Sequence, residues 1–281
     1  MYQLLDGKKL AAPIIEHVAQ TILSEGIEPQ LAVVLVGSDP ASHLYVRLKK
    51  RACKEVGIGF SKYLINESEP EEKIIETIRF LNANTDIDAV LIQMPLPGKF
   101  NQDRVLEALD YRKDVDGFHR TNIQRYLAGK PQKILPGLAL AIWNLIAGSG
   151  EEHYAGKNAV IVAKSESFTK ATAKLLSDRG LRVTIARPDD TALAEKTRDA
   201  AVLITAIGKP LSITEDMVKK DAVIIDVGIS ATEKGTTGDV DFVQVAPKAS
   251  FITPVPGGVG PMTIAMLLAN TLSLAQMRKT K

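Results

Sequence analysis

Chemistry in this chain would fall to a few side chains and one stretch of bare backbone. Asp39-Pro40 opens a helix, with the aspartate suited to cap it and the proline to its first turn. From that start Tyr45 and Lys49 lie four residues apart on one face. They pair an aromatic platform with an amine whose pKa falls if it leaves water. Lys50 and Arg51 follow directly, so spacing alone favours a plain solvated basic run. Gln93 ends the apolar strand Ala89-Val90-Leu91-Ile92, where a polar side chain packs poorly but suits a cleft; Pro95 and Pro97 stiffen the exit. Asp114-Val115-Asp116-Gly117 sets two carboxylates at alternate positions. One or both could accept a fork of N–H donors, and an Asp-Gly turn is the competing reading.

The run Thr253–Thr263 holds three glycines and three prolines in eleven residues, more than a simple connector needs. Prolines fix φ, glycines reach positive φ, and a ligand can lie against such backbone. Pro261 then falls in the first turn of a closing helix. A third candidate follows the strand Ala159–Val162, where a dinucleotide fold carries its phosphate loop. The segment there, Ala163-Lys164-Ser165-Glu166-Ser167-Phe168-Thr169, has none of the glycines of that fingerprint. Lys164, and Arg187 after the next strand, are cations available to a ribose phosphate.

Strand–helix alternation must position these residues. Leu31–Val36, Ala89–Gln93, Ala159–Val162, Arg182–Ile185, Val202–Ala206 and Val223–Val227 read as buried strands. Ala41–Val56, Glu71–Ala83, Gln102–Leu109, Leu138–Ile146, Phe168–Arg179 and Thr214–Lys219 read as helices, with Gly57, Gly148 and Gly180 as stops. Nearly continuous apolar strands between helices imply parallel sheets covered on both faces. The pattern weakens over Arg120–Ile134, which separates a first domain, 1–134, from a second, 135–261. The last helix, 262–281, is expected to pack back on the first. Ligands in open α/β sheets bind beyond the strands' carboxyl ends, so a cleft between the two sheets is the expected site.

Composition narrows the function classes. The 281 residues carry 35 basic and 33 acidic side chains, net +2, which gives no footprint for nucleic acid or an acidic membrane. No apolar run approaches the ~18–20 residues of a membrane span, and no signal peptide is visible at the start. The single Cys53 fits a reducing cytoplasm. The four histidines show no ligand spacing, so no metal is expected.

Together the motifs resemble the bifunctional methylenetetrahydrofolate dehydrogenase/methenyltetrahydrofolate cyclohydrolase family along essentially the whole chain. The resemblance rests on Gly37-Ser38-Asp39-Pro40-Ala41-Ser42 with Tyr45-Val46-Arg47-Leu48-Lys49, on Gln93-Met94-Pro95-Leu96-Pro97, and on Lys113-Asp114-Val115-Asp116-Gly117-Phe118. Asp226-Val227-Gly228-Ile229, Gly238-Asp239-Val240 and the Thr253–Thr263 loop complete it. It implies two α/β domains flanking a cleft, the second a Rossmann-like parallel sheet, in a cytoplasmic homodimer that acts on tetrahydrofolate derivatives with NADP. By resemblance Lys49 is the catalytic lysine and Gln93 its partner. Tyr45 stacks on the aminobenzoyl ring, Asp116 accepts the pterin's paired donors, and Pro256, Gly257 and Gly258 line the folate side. Lys164, Ser165, Arg187 and Ile229 fall on the cofactor side.

The departures from the family pattern sit on that cofactor side. The family's Pro-Cys-Thr-Pro-x-Gly reads Pro136-Gly137-Leu138-Ala139-Leu140-Ala141 here. Its Gly-Arg-Ser-x-x-Val-Gly-x-Pro loop becomes Ala163–Ala171, without either glycine or the proline and with Phe168 for valine. Its Cys-His-Ser becomes Ala186-Arg187-Pro188. Two alternatives therefore stand beside the bifunctional enzyme: a monofunctional cyclohydrolase with a degenerate cofactor site, and a non-catalytic folate-binding protein.

Overall fold

Apolar residues come in short unbroken runs, and each run becomes a strand with both faces covered. Leu31 to Val36 are each at most 4% exposed, and full burial of such side chains contributes about 1.5–3 kcal/mol apiece. The computed structural model describes residues 2–150, 154–232 and 235–279. In chain order it begins with β1 (Gln3–Leu4), α1 (Gly7–Glu25), β2 (Gln30–Val36), α2 (Pro40–Val56), β3 (Gly59–Ile65), α3 (Glu71–Ala83) and β4 (Ala89–Ile92). Next come α4 (Gln102–Glu107), α5 (Arg120–Leu127), α6 (Gly137–Ala147), β5 (Asn158–Ala163), α7 (Glu166–Asp178) and β6 (Arg182–Ala186). Then follow α8 (Leu193–Arg198), β7 (Val202–Ala206), β8 (Val223–Asp226), β9 (Ser230–Thr232) and β10 (Gly235–Thr237). Last are α9 (Phe242–Val245), β11 (Phe251–Ile252) and α10 (Val259–Lys279).

The chain forms two compact units: Pro13–Gly137 with the segment from Ile264 onward, and the segment up to Ala12 with Leu138–Thr263. The first carries a parallel three-stranded sheet, β3-β2-β4. One face buries Leu31, Val33, Leu35 and Leu91 against Val46, Cys53, Val56 and, from α10, Leu267, Leu268 and Leu272. The other buries Val34, Val90 and Ile92 against Ile74, Ile78 and Leu81 of α3. The second unit carries a parallel six-stranded sheet, β1-β11-β8-β7-β5-β6, and an antiparallel pair, β9–β10.

Several elements depart from the expectations. The first twelve residues, assigned above to the first domain, cluster with the second unit because Gln3 and Leu4 pair with Phe251 and Ile252. Helix α1 was not among the expected helices; Pro13 stands inside it and interrupts the helical signal. β3 was missed too, being an edge strand with only Ile65 buried. The weak stretch after Arg120 contains α5, capped by His119, whose Nδ1 accepts from the Thr121 amide. The helix expected over Thr214–Lys219 is a single 3₁₀ turn, Glu215–Met217. Against the expectation of no apolar run near membrane-span length, helix α10 qualifies by length and composition over Val259–Arg278; 61% of that window is buried inside the protein, where it serves as a core helix.

One contact explains a glycine not singled out above. The Gly7 amide donates to Gly257 O at 2.9 Å, and a Cβ on Gly7 would lie 1.7 Å from Gly258 O. Backbone cannot yield as a side-chain tip can. Gly7→Ala is therefore expected to destabilise the protein by about 1–3 kcal/mol, the usual cost of overpacking. A thermal melt matching wild type would show that α1 and the loop can separate.

Candidate active site

Helix α2 starts as its sequence dictates. Asp39 Oδ2 accepts from the Ser42 amide at 2.8 Å, Pro40 occupies the first turn, and Gly57 closes the helix in left-handed conformation. The hydrogen bonds from Ser42 hold the Asp39 carboxyl below its ordinary range. The buried residues Ser42, Val46, Cys53 and Val56 mark the inward face. Lys49 falls between Val46 and Cys53 on that face, and half-buried Tyr45 one turn earlier. Burial pushes the Tyr45 phenol up and so keeps its proton on. It also pushes the Cys53 thiol up to about 12 and leaves it unreactive.

Lys49 Nζ donates to Gln93 Oε1 at 2.9 Å, while Gln93 Nε2 donates to Met94 O at 2.7 Å. The second bond fixes which end of the carboxamide meets the lysine. Gln93 is buried immediately beyond β4, and its own amide donates to Val34 O. Burial lowers the Lys49 pKa, against opposition from the nearby Asp116 charge.

The two aspartates after β4 diverge. Asp114 is turned to its own chain: it is buried and accepts from the amides of Gly117 and His119 and from Asn122 Nδ2, at 3.1, 2.7 and 2.9 Å. It holds the turn that follows. Lys113 is structural as well, its ammonium donating to Leu81 O and Asn84 O at the end of α3. Asp116 accepts no hydrogen bond among the described residues, so both oxygens are available. Burial raises its pKa to about 6, with Lys49 lowering it and Asp114 raising it further. Asn270 was not foreseen. Its Nδ2 donates to Val115 O at 2.8 Å and to Leu135 O at 3.3 Å, and Gly137 N donates to Asp116 O at 2.9 Å. These bonds fix the backbone on either side of the Asp116 side chain. The signal available in the sequence was one asparagine inside an apolar helix.

In the other unit the glycine-proline loop begins at buried Thr253, whose Oγ1 accepts from the Asp226 amide at 2.8 Å. Pro256 is exposed and Gly257 half-buried, with φ +115°. Gly258, expected to present bare backbone to a ligand, is instead buried. Its amide donates to Pro254 O, and a Cβ there would sit 2.6 Å from Thr253 Cβ. Its missing side chain is explained by the packing of its own chain.

On the cofactor side β5 passes into α7 through Lys164 and Ser165 alone, with no residue at positive φ. The turn therefore needs no glycine. Ser165 caps α7, its Oγ accepting from Phe168 N at 3.4 Å. Phe168 is buried on the inner face of α7 with Ala171, Leu175 and Leu176, so its ring leaves the exposed turn clear. Glu166 is ion-paired with Lys170 one turn on, which offsets its charge at the helix start. Among the described residues no acceptor meets the amides of Glu166 and Ser167, which leaves donors for an anion. Arg187 follows β6 and pairs with Asp189 at 3.3 Å, both exposed; such a pair contributes little and yields readily to a phosphate. Because Val162 pairs with Ala186, Lys164 and Arg187 leave neighbouring strand ends. Ile229, just past β8, is 50% exposed. Ala141, which stands at a family glycine, is fully packed in α6. These residues fit a dinucleotide.

Comparison with known proteins also divides the chain in two, between residues 116 and 136. Residues 5–116 match the catalytic domain of tetrahydrofolate dehydrogenase/cyclohydrolase, and residues 136–279 match its NAD(P)-binding domain. The chain belongs to this family. Among relatives, the bifunctional protein FolD of Wolinella succinogenes is 46% identical over 99% of this chain and 98% of its own length. The bifunctional FolD structure from Campylobacter jejuni superposes with a TM-score of 0.93 at 41% identity, covering 99% of this chain and 100% of that one. The FolD structure from Trypanosoma brucei, complexed with NADP and an inhibitor, gives 0.93 at 26% identity, covering 100% and 99%. The tetrahydrofolate dehydrogenase/cyclohydrolase fold thus spans both units, including the turn where the glycines are missing.

Proposed function

We propose that this chain oxidises methylenetetrahydrofolate to the methenyl form with NADP and hydrolyses the methenyl form to formyltetrahydrofolate. The observation that carries the reading is a lysine with a depressed pKa, hydrogen-bonded to Gln93 and set beside an Asp116 carboxylate that accepts no hydrogen bond among the described residues. Asp116 accepts paired N–H donors of the pterin edge, in the geometry a carboxylate suits. Tyr45 stacks on the aminobenzoyl ring.

Hydrolysis then follows from the amine. Lys49 takes a proton from water as its oxygen bonds to the methenyl carbon. The added hydroxyl then gives up its remaining proton to solvent as its oxygen closes to C=O, the bond from that carbon to N5 breaks, N5 takes the proton that Lys49 holds, and the carbon stays on N10 as the formyl group. Gln93 Oε1 holds the amine in place and accepts from it in either protonation state. For oxidation a nicotinamide nucleotide would supply the hydride acceptor. Lys164, Ser165, Arg187 and Ile229 would hold that nucleotide, and two cations at adjacent strand ends favour a 2′-phosphate, hence NADP over NAD. The same reading gives a cytoplasmic homodimer.

A second reading, a monofunctional cyclohydrolase, draws on the glycine-free turn and on the Glu166 carboxylate beside the α7 amides. Oxidation of methylenetetrahydrofolate with NADP and then NAD, with methenyl hydrolysis as the folding control, decides between them. Faster reduction of NADP supports the bifunctional reading. Hydrolysis without reduction of either cofactor supports the second, and absence of both activities would leave a folate-binding protein.

A further inference from the structure

Two buried acids have no part in the roles above. Asp226 and Asp239 are 3% and 0% exposed. Asp226 accepts from the amides of Gly228, Asp239 and Val240 at 3.0, 3.1 and 2.9 Å, and from Thr205 Oγ1 at 3.2 Å. Asp239 accepts from three successive amides, Ile207, Gly208 and Lys209, at 2.5, 3.0 and 3.0 Å. Adjacent glycines make room for both carboxylates. A Cβ on Gly228 would meet Asp239 Cγ at 2.2 Å, and one on Gly238 would meet Asp226 Oδ2 at 2.0 Å.

The topology gives these bonds a direction. The chain runs from β5 outward to β6, then returns to β7 on the other side of β5, so the order reverses between β5 and β7. Nucleotides bind in the crevice beyond the strand ends at such a reversal. One lip is Lys164–Ser165; the other is Ile207–Lys209, whose last two residues are exposed and whose Gly208 has φ +71°. Three consecutive amides converging on one anion form a nest, and here the chain's own carboxylate fills it. The lip is thus pinned from beneath, and its amides are withdrawn from the ligand.

We propose that Asp239 is a positioning residue for the nicotinamide nucleotide, fixing the β7 exit loop through these three amides, with Asp226 holding Asp239's own backbone in place. The inference rests on the dehydrogenase reading above. Asp239→Asn replaces one acceptor oxygen with a donor that opposes the amides. It is expected to raise the KM for NADP by up to about 100-fold, as misplacement near 1 Å can do. Methenyl hydrolysis, which uses Lys49 in the other unit, is retained. Amide exchange at Ile207–Lys209 speeds up in the ligand-free variant, while that of Val202–Thr205 does not change. Unchanged NADP KM, or hydrolysis falling in parallel with reduction, overturns the inference. If D239N does not fold, Gly208→Ala decides: a Cβ there meets nothing within 4 Å, so the strain falls on the loop, and an unaltered KM again overturns it. Wild-type protein that hydrolyses but reduces neither NADP nor NAD sinks the dehydrogenase reading itself, a result distinct from a working enzyme that ignores D239N.

Discussion

Lys49→Ala is expected to cut methenyl hydrolysis by about 10²–10⁴-fold, the range for a positioned acid–base group, with the fold intact. The amine is suited to take a proton from water: burial disfavours its charged form, and Gln93 Oε1 holds it without supplying a charge. Removing it should not unfold the protein. A lysine whose folded pKa is lowered binds fewer protons in the native state than in the unfolded one, so at neutral pH its burial opposes folding. The alanine variant should therefore melt near or above wild type once the lost packing of the stem is allowed for. Lys49→Arg sharpens the test. Guanidinium stays protonated, so the arginine enzyme keeps the charge beside Asp116 yet cannot accept a proton, and it should be as slow as alanine. Wild-type hydrolysis should rise with pH as the amine deprotonates, and neither variant should follow that limb. Hydrolysis within an order of magnitude of wild type in both variants would remove Lys49 from the mechanism.

Much of the scaffold was legible because it depends on local pattern. Val202–Ala206 and Glu71–Ala83 fall where their apolar runs place them. Legibility failed where local signals conflict or weaken, as in α1 around Pro13 and the edge strand β3 with its single buried residue. The site was harder to read because it is assembled from distant segments. Four-residue spacing put Tyr45 and Lys49 on one face but left a solvated run the better reading; Gln93, 44 positions away, gives the lysine its partner. Asp114 and Asp116 share a face only if the chain stays extended. The turn at Gly117, φ +72°, sends one inward and leaves the other available. The missing glycines argued against a phosphate turn, but β5 reaches α7 through Lys164 and Ser165 without positive φ. Whether such a turn needs a glycine depends on the backbone path, which a residue pattern does not show.

Asp116 should control folate affinity through its ionisation. Its oxygens accept nothing from the described protein, and a pair of charge-assisted hydrogen bonds at about 1.5–3 kcal/mol each makes Asp116→Ala worth roughly two to four decades in folate kcat/KM. Burial raises the carboxyl to about 6 from an ordinary 3.8. Below about pH 6 a proton competes with the ligand's N–H donors, so folate KM should climb as pH falls from 7 to 5. Stability runs the other way. A carboxyl with a raised folded pKa takes up protons on folding between about 4 and 6, so its contribution is present in acid and is lost as pH rises through 6. Melting curves alone cannot isolate this group, because buried Asp226 is also raised to about 6. Folate KM compared between wild type and Asp116→Asn can, because both proteins keep Asp226. In Asp116→Asn the acid limb should vanish and the KM should stay high at every pH. A flat wild-type KM between pH 7 and 5, or the same limb in the asparagine variant, would assign the pterin's donors to another acceptor.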